Sequence, residues 1–183
     1  MESSLIALIR GINVGRAKRV AMADLRALVE DLGYSHVQTL LNSGNIAFTA
    51  PGDSVDNSAD RIEAALASRL GVSAKVFVLT AAELAIVVDD NPLVEVASNP
   101  SRLLVAFLEK SEDRTQLEPL LEQDWNPEVL ALGVSVAYLW APDGVLVSRL
   151  VKAIGRVLGD NTTTRNWATV MKLHVLTSNG VRY

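Results

Sequence analysis

The sequence predicts an α+β fold in two consecutive subdomains, the first a ferredoxin-like βαββαβ layer and the second βαββα plus a C-terminal helix. Three observations predict it. Segments of strand period and helix period alternate along the whole chain. Ser4 to Arg10 is apolar on both faces, with Leu5, Ala7 and Ile9 on one and Ile6 and Leu8 on the other, which marks a central, covered strand. With 183 residues, 49% hydrophobic and 21% charged, the chain can bury a core and is too apolar for global disorder. The expected boundary separates residues 1–79 from residues 80–183.

A Gly-containing basic loop follows the first strand. The next helix carries the stripe Met22, Leu25, Leu28, Val29 and Leu32 and ends at Gly33. His36 to Leu41 reads as a strand, Asn42 to Asn45 has hairpin-turn chemistry, and Ile46 and Phe48 alternate in a third strand. Asn57 with Asp60 three residues on marks a helix start, with Ile62, Ala65, Leu66 and Leu70 on its buried face. Lys75 to Leu79 is the fourth strand. In this topology the first and second strands run the same way, so the loop 11–20 and the turn 42–45 share one sheet edge.

Thr80 and Glu83 form a capping box, and the helix they open stops before Pro92. Arg102 to Glu109 is a strand, and Ser111 starts an acidic helix buried through Leu117, Leu120 and Leu121. Val129 to Leu132 and Val134 to Trp140 form a hairpin around Gly133, and Leu146, Leu150, Ile154, Val157 and Leu158 form a helical stripe ended by Gly159. This order echoes the first half without a visible sequence repeat. Thr162 to Thr164 then lead into a last helix with Trp167, Val170, Met171 and His174 on one stripe, where His174 reads as a packed residue.

Net charge is −4, yet it is unevenly placed. Arg10, Arg16, Lys18 and Arg19 stand without an acid in residues 10–19. Residues 149–183 hold Arg149, Lys152, Arg156, Arg165, Lys172 and Arg182 against Asp160 alone. The ends are basic and the middle is acidic, which excludes a globally basic nucleic-acid protein and leaves two local cationic segments. With Cys 0, disulfides and thiolate chemistry are excluded, and with His 2 so is a histidine-rich metal centre. Leu5 to Ile9 is too short for a signal-peptide core, and Val129 to Pro142 alternates as a strand does. A cytoplasmic protein with no membrane partner, no metal and no cofactor is expected, as a monomer or a homodimer.

Gly11 to Arg19 has the make-up of an anion cradle, two glycines for backbone access within four cations. It lacks the glycine spacing and Lys-Ser/Thr ending of a Walker A loop. A solvated loop that serves solubility is the plain alternative. In the second segment Thr164 reads as a helix cap, and Arg165, Thr169 and Lys172 fall on one helical face. The plain alternative there is an ordinary capped helix docked by Trp167. Ser43 lacks a nucleophile elbow, and of the stacking aromatics an RNA-recognition module needs on strands 1 and 3, strand 1 has none and strand 3 has only Phe48, in phase with Ile46 and expected to be buried.

Arg10-Gly11-Ile12-Asn13-Val14-Gly15, Met22 to Arg26, Ser43 to Phe48 and Thr164 to Leu173, in this order, resemble the bacterial domain-of-unknown-function 1697 family over nearly the whole chain. The chain departs from the family at Arg16, Ala21 and Asn42, where Gly, Pro and Gln are frequent. The resemblance implies two α+β subdomains, the first ferredoxin-like, and implies no reaction.

The function expected from the residues is binding of a phosphate-bearing or other anionic ligand, a small molecule or a single-stranded nucleic acid, in a basic cleft between the halves. Arg10, Arg16, Lys18, Arg19, Arg165 and Lys172 would supply charge. Gly11, Gly15 and Gly44 would supply backbone access, and Asn13, Asn45 and Asn166 orienting hydrogen bonds, with Ser43, Thr164 and Trp167 beside them. The alternatives are an enzyme acting on a small phosphorylated substrate, for which no general base is identified, and an interaction module whose motifs are structural.

Overall fold

In the computed structural model, residues 2–52 and 55–179 are described. Arg182, counted in the basic C-terminal end, lies outside them. The elements are β1 (Glu2–Ile9), α1 (Met22–Asp31), β2 (Ser35–Leu40), β3 (Asn45–Pro51), α2 (Val55–Leu70), β4 (Val76–Thr80) and α3 (Ala81–Asp89). Then come β5 (Leu103–Leu108), α4 (Arg114–Leu117) between two 3₁₀ turns, β6 (Val129–Leu132), β7 (Val136–Trp140), α5 (Arg149–Leu158), β8 (Thr162–Asn166) and α6 (Trp167–Ser178). The chain divides into two compact units, one built from the chain up to Ala85 and from Leu173 onward, the other from Ile86–Lys172.

The first unit holds an antiparallel sheet in the order β2-β3-β1-β4. β3 therefore splits the β1-α1-β2 crossover, and β1 and β2, both antiparallel to β3, run in the same direction. Leu5, Ala7 and Ile9 share a core with Leu25, Leu28 and Val29 of α1 and Ile62, Ala65 and Leu66 of α2. Ile6 and Leu8, on the opposite face of β1, are also fully buried, so the doubly apolar pattern reports a strand covered on both sides. α1 ends as expected, with Gly33 at φ 93°. Arg61 of α2 donates to the Leu32 carbonyl at that end and lies over the Tyr34 ring at 4.9 Å. α2 begins at Val55, ahead of the start marked by Asn57, which sits inside the helix as an exposed residue. The capping box forms reciprocally: Thr80 N–H donates to Glu83 at 2.7 Å and Glu83 N–H donates to Thr80 Oγ1 at 3.1 Å.

The second unit repeats the arrangement as β6-β7-β5-β8, also antiparallel. Its order β5-α4-β6-β7-α5-β8 is a second complete βαββαβ. Here the sequence expectation needs correction, because Thr162–Asn166 is a strand and not the lead of a helix. Three β-branched threonines suit a pleated half-buried surface, and β8 pairs with β5 from Leu104↔Asn166 to Leu108↔Thr162. Thr162 is buried because its hydroxyl donates to the Phe107 carbonyl at 2.9 Å.

Smaller differences have local causes. The acidic helix is broken into 3₁₀, α and 3₁₀ turns where Pro119 removes an N–H, and Leu121 is thereby turned outward, 46% exposed. Val134 lies in the β6–β7 turn, not in the strand. α5 starts only after Ser148, whose Oγ accepts from Val151 N–H at 3.0 Å, and this leaves Leu146 ahead of the helix and 91% exposed. Val157, at the margin of the α5 stripe, is partly exposed, while Leu150, Ala153, Ile154 and Leu158 are buried.

Candidate functional site: the basic loop after the first strand

The connection between β1 and α1 is anchored at both ends by apolar residues, Ile12 and Val20, which belong to the core of the first unit. Between them the chain takes left-handed conformations at Asn13, Gly15 and Lys18, after Gly11 at φ 70°. Glycine meets that geometry without strain and Asn tolerates it. Asn13 closes the loop. Its amide donates to the Val20 carbonyl at 2.8 Å and its oxygen accepts from Val20 N–H at 2.9 Å. Its backbone N–H donates to Lys18 O at 3.0 Å.

The same amide reaches across to the β2–β3 turn, donating to the Asn42 carbonyl at 2.7 Å. Loop and turn are therefore neighbours, as the shared direction of β1 and β2 requires. Ile9 N–H donates to Gly44 O at 2.8 Å. Gly44 stands at φ 83°, and a Cβ there would lie 2.9 Å from Ile12 Cδ1 and 3.0 Å from Ile9 Cβ. Asn45 is fully buried, its amide donating to Leu40 O at 3.0 Å and Ser43 Oγ at 2.9 Å. The turn residues thus act on each other and on the loop's footing.

Arg16, Lys18 and Arg19 are exposed, and among the described residues none of the three is paired with an acid. Arg10 is half-buried at the loop's base, where its N–H donates to Lys75 O at 2.9 Å. Lys75 is a cation of this sheet edge that the sequence reading passed over. Its place there follows from strand pairing, since β4 starts where β1 ends, Ile9 facing Val76. Val14, at 71%, and Leu41, at 51%, add exposed apolar surface to the loop and turn.

A family model described as a protein of unknown function, DUF1697, matches residues 2–138, which takes in the whole basic loop and the β2–β3 turn. The chain belongs to the DUF1697 family. No curated protein matches it. Among solved structures it is similar to a conserved bacterial protein, SP0830 from Streptococcus pneumoniae, at 23% identity and a TM-score of 0.79, covering 97% of this chain and 99% of that one. That likeness shows the fold.

The other predicted segment of this DUF1697 chain lies in its second unit. Thr164 and Arg165 are on β8, so Arg165 does not share a helical face with Thr169 and Lys172. The α6 cap is Asn166, whose Oδ1 accepts from Thr169 N–H at 2.9 Å, rather than Thr164. Arg165 is buried and donates to Thr163 Oγ1 at 2.8 Å and Thr164 O at 3.0 Å. Burial pushes its guanidinium down from the usual range to about 10. Trp167 is buried, His174 is half-buried, and Lys172 is exposed. Among the described residues no three His, Asp or Glu side chains are grouped to hold a metal ion, and no helix is long and apolar enough to cross a membrane.

Proposed function

We propose that this DUF1697 protein binds a phosphate-bearing or other anionic ligand through the loop 10–19 and the adjoining turn 43–45. The observation that carries this reading is the pinned loop itself. Arg16, Lys18 and Arg19 are held exposed, without acidic partners among the described residues, on a backbone fixed by Asn13 and by two buried apolar anchors. A fixed backbone with left-handed residues can turn several N–H groups toward one anion, and the side-chain cations add charge. A bracing role is favoured for Asn13 and Asn45, because the hydrogen bonds of their amides hold loop and turn in place. The hydrogen bonds that Arg165 donates to Thr163 Oγ1 and Thr164 O support a bracing role for that side chain as well.

The test is a thermal-shift panel of inorganic phosphate, nucleotides, sugar phosphates and short oligonucleotides. A ligand at a hundred times its dissociation constant adds roughly 2.7 kcal/mol to stability. The expected result is a shift with at least one phosphate compound that is lost in Arg16→Ala/Lys18→Ala/Arg19→Ala. A single-stranded nucleic acid making about three phosphate contacts would weaken with salt at a log–log slope of about −2. No shift from any compound overturns the proposal.

A further inference from the structure

A different surface, in the second unit, joins an apolar protrusion to a cavity. Gly144, at φ 104°, turns the chain sharply after β7, and residues 145–147 form a single 3₁₀ turn before the Ser148 cap of α5. That turn exposes Val145, Leu146 and Val147 at 38%, 91% and 58%. Leu146 points into none of its own surroundings, an unusual exposure for a leucine flanked by two valines. Beside it lies an open cavity of about 370 Å³, lined in part by Pro127, Ala141, Gly144 and Val147. This is larger than the roughly 150 Å³ apolar cavity left where one leucine is cut back in another protein's core. Val129, 37% exposed, opens the neighbouring edge strand β6.

The rim of the cavity is rigid and carries both signs of charge. Glu128, almost wholly buried, accepts from Ser148 Oγ, from Arg149 N–H at 2.8 Å and from Leu150 N–H at 3.2 Å, which fixes the start of α5 to the start of β6. Arg149 donates to Trp125 O at 2.7 Å and lies over the Trp125 ring at 5.6 Å. Its side chain stays 56% exposed, and Asp143 is exposed on the same rim.

We propose that this face is an isologous contact between two copies of the chain, Leu146 of each seated in the cavity of the other. A knob and a hole on one face are self-complementary under a two-fold axis, as an isologous interface requires. The same axis sets Asp143 of one copy toward Arg149 of the other, so opposite charges meet around the apolar centre. A leucine in a pocket with a polar rim is the anatomy of an interface anchor.

Sedimentation velocity over a dilution series tests this on the full chain of 19.7 kDa. The expected result is a mass that doubles with concentration. Leu146→Asp should weaken association about a hundredfold or more, since two leucines per dimer lose their burial. Asp143→Arg, which sets like charges across the axis, should weaken it less. Both sites are exposed, so the melting temperature of the dilute protein should not fall. Arg16→Ala/Lys18→Ala/Arg19→Ala should associate as the parent does, which separates this face from the anion-binding loop. A parent chain that stays monomeric at the highest concentration, or a Leu146→Asp variant that associates equally tightly, overturns the proposal.

Discussion

The two units answer the same topological problem with different connections. After β1 the chain runs through residues 10–21 before α1; after β5 it runs through residues 109–110 before the first 3₁₀ turn. The first connection holds Arg10, Arg16, Lys18 and Arg19 and no acid, whereas residues 109–113 hold Glu109, Glu112 and Asp113 against Lys110. A βαββαβ crossover therefore closes through two residues in this very chain. Closing the longer loop costs on the order of 1–2 kcal/mol more. The extra residues are not demanded by the fold, so their charge and backbone geometry ask for a reason outside it.

The largest test of that comparison concerns what each unit needs to stand alone. The first unit includes the start of α3 and the chain from Leu173 onward, with Leu84 and Leu173 fully buried. Residues 1–79 expressed alone lack both, while α1 and α2 share a core with only one face of β1. That fragment should self-associate or fail to melt cooperatively, because an apolar sheet face becomes exposed. A monodisperse fragment with a single sharp transition in calorimetry would show that the βαββαβ layer is self-sufficient.

Next in size is the hairpin glycine of each unit. At Gly44 a side chain meets both a left-handed backbone and a Cβ position 2.9 Å from Ile12 Cδ1. Gly44→Ala should cost about 2–4 kcal/mol in urea denaturation. Gly133 has the crowding alone, 2.9 Å from Val136 Cγ2 and 3.0 Å from Tyr138 Cε2, without a left-handed backbone. Gly133→Ala should cost about 1–2 kcal/mol. Equal costs would mean that the loop footing at Gly44 is softer than its geometry implies.

These contrasts also show where the sequence was informative. β1 could be read because burial on both faces leaves no polar alternation, and Thr80 and Glu83 because a capping box is local chemistry. The neighbourhood of loop and turn followed from strand direction alone. β8 was hidden because Thr162 to Asn166 carries no hydrophobic period: its burial depends on hydrogen bonds to β5 that only the tertiary fold supplies. Leu146 matched the α5 stripe by spacing, but the Ser148 cap and Gly144 start the helix after it. Lys75 is not legible from sequence as a cation of the loop's edge, because it is distant in sequence and adjacent only through β1–β4 pairing.

A third, smaller effect belongs to the second unit. Tyr138 is buried on β7, and its hydroxyl donates to Val87 O at 2.7 Å. Burial, and then the charge of Asp90, push its phenol up from 10.0 to about 12. The folded chain thus keeps a proton that the unfolded chain releases near pH 10. This contribution to stability is full below pH 10 and is lost as pH rises toward about 12. Tyr138→Phe should cost about 1 kcal/mol at neutral pH through the lost hydrogen bond, and should flatten the fall of the urea midpoint above pH 10. An unchanged alkaline slope would place that sensitivity on other groups.

The smallest expected effect on stability separates the two connections most sharply. Arg16, Lys18 and Arg19 are exposed, without acidic partners among the described residues, and lie on a loop that the second unit does without. Neutralising each to Ala should change stability by less than about 0.5 kcal/mol, as for surface positions away from caps and cores. Removing like charges from one short loop should act in the stabilising direction at low salt, because mutual repulsion is relieved and screening is weak there. Asn13→Ala supplies the contrast. It removes the three hydrogen bonds that pin the loop while leaving every cation in place, and should cost about 2 kcal/mol. Urea midpoints measured for the four variants with and without inorganic phosphate then give the two outcomes. If the loop is a binding element, the cation variants keep their stability and lose the phosphate-dependent gain. If they instead melt as early as Asn13→Ala, the charges brace the fold, and the long connection of the first unit is structural after all.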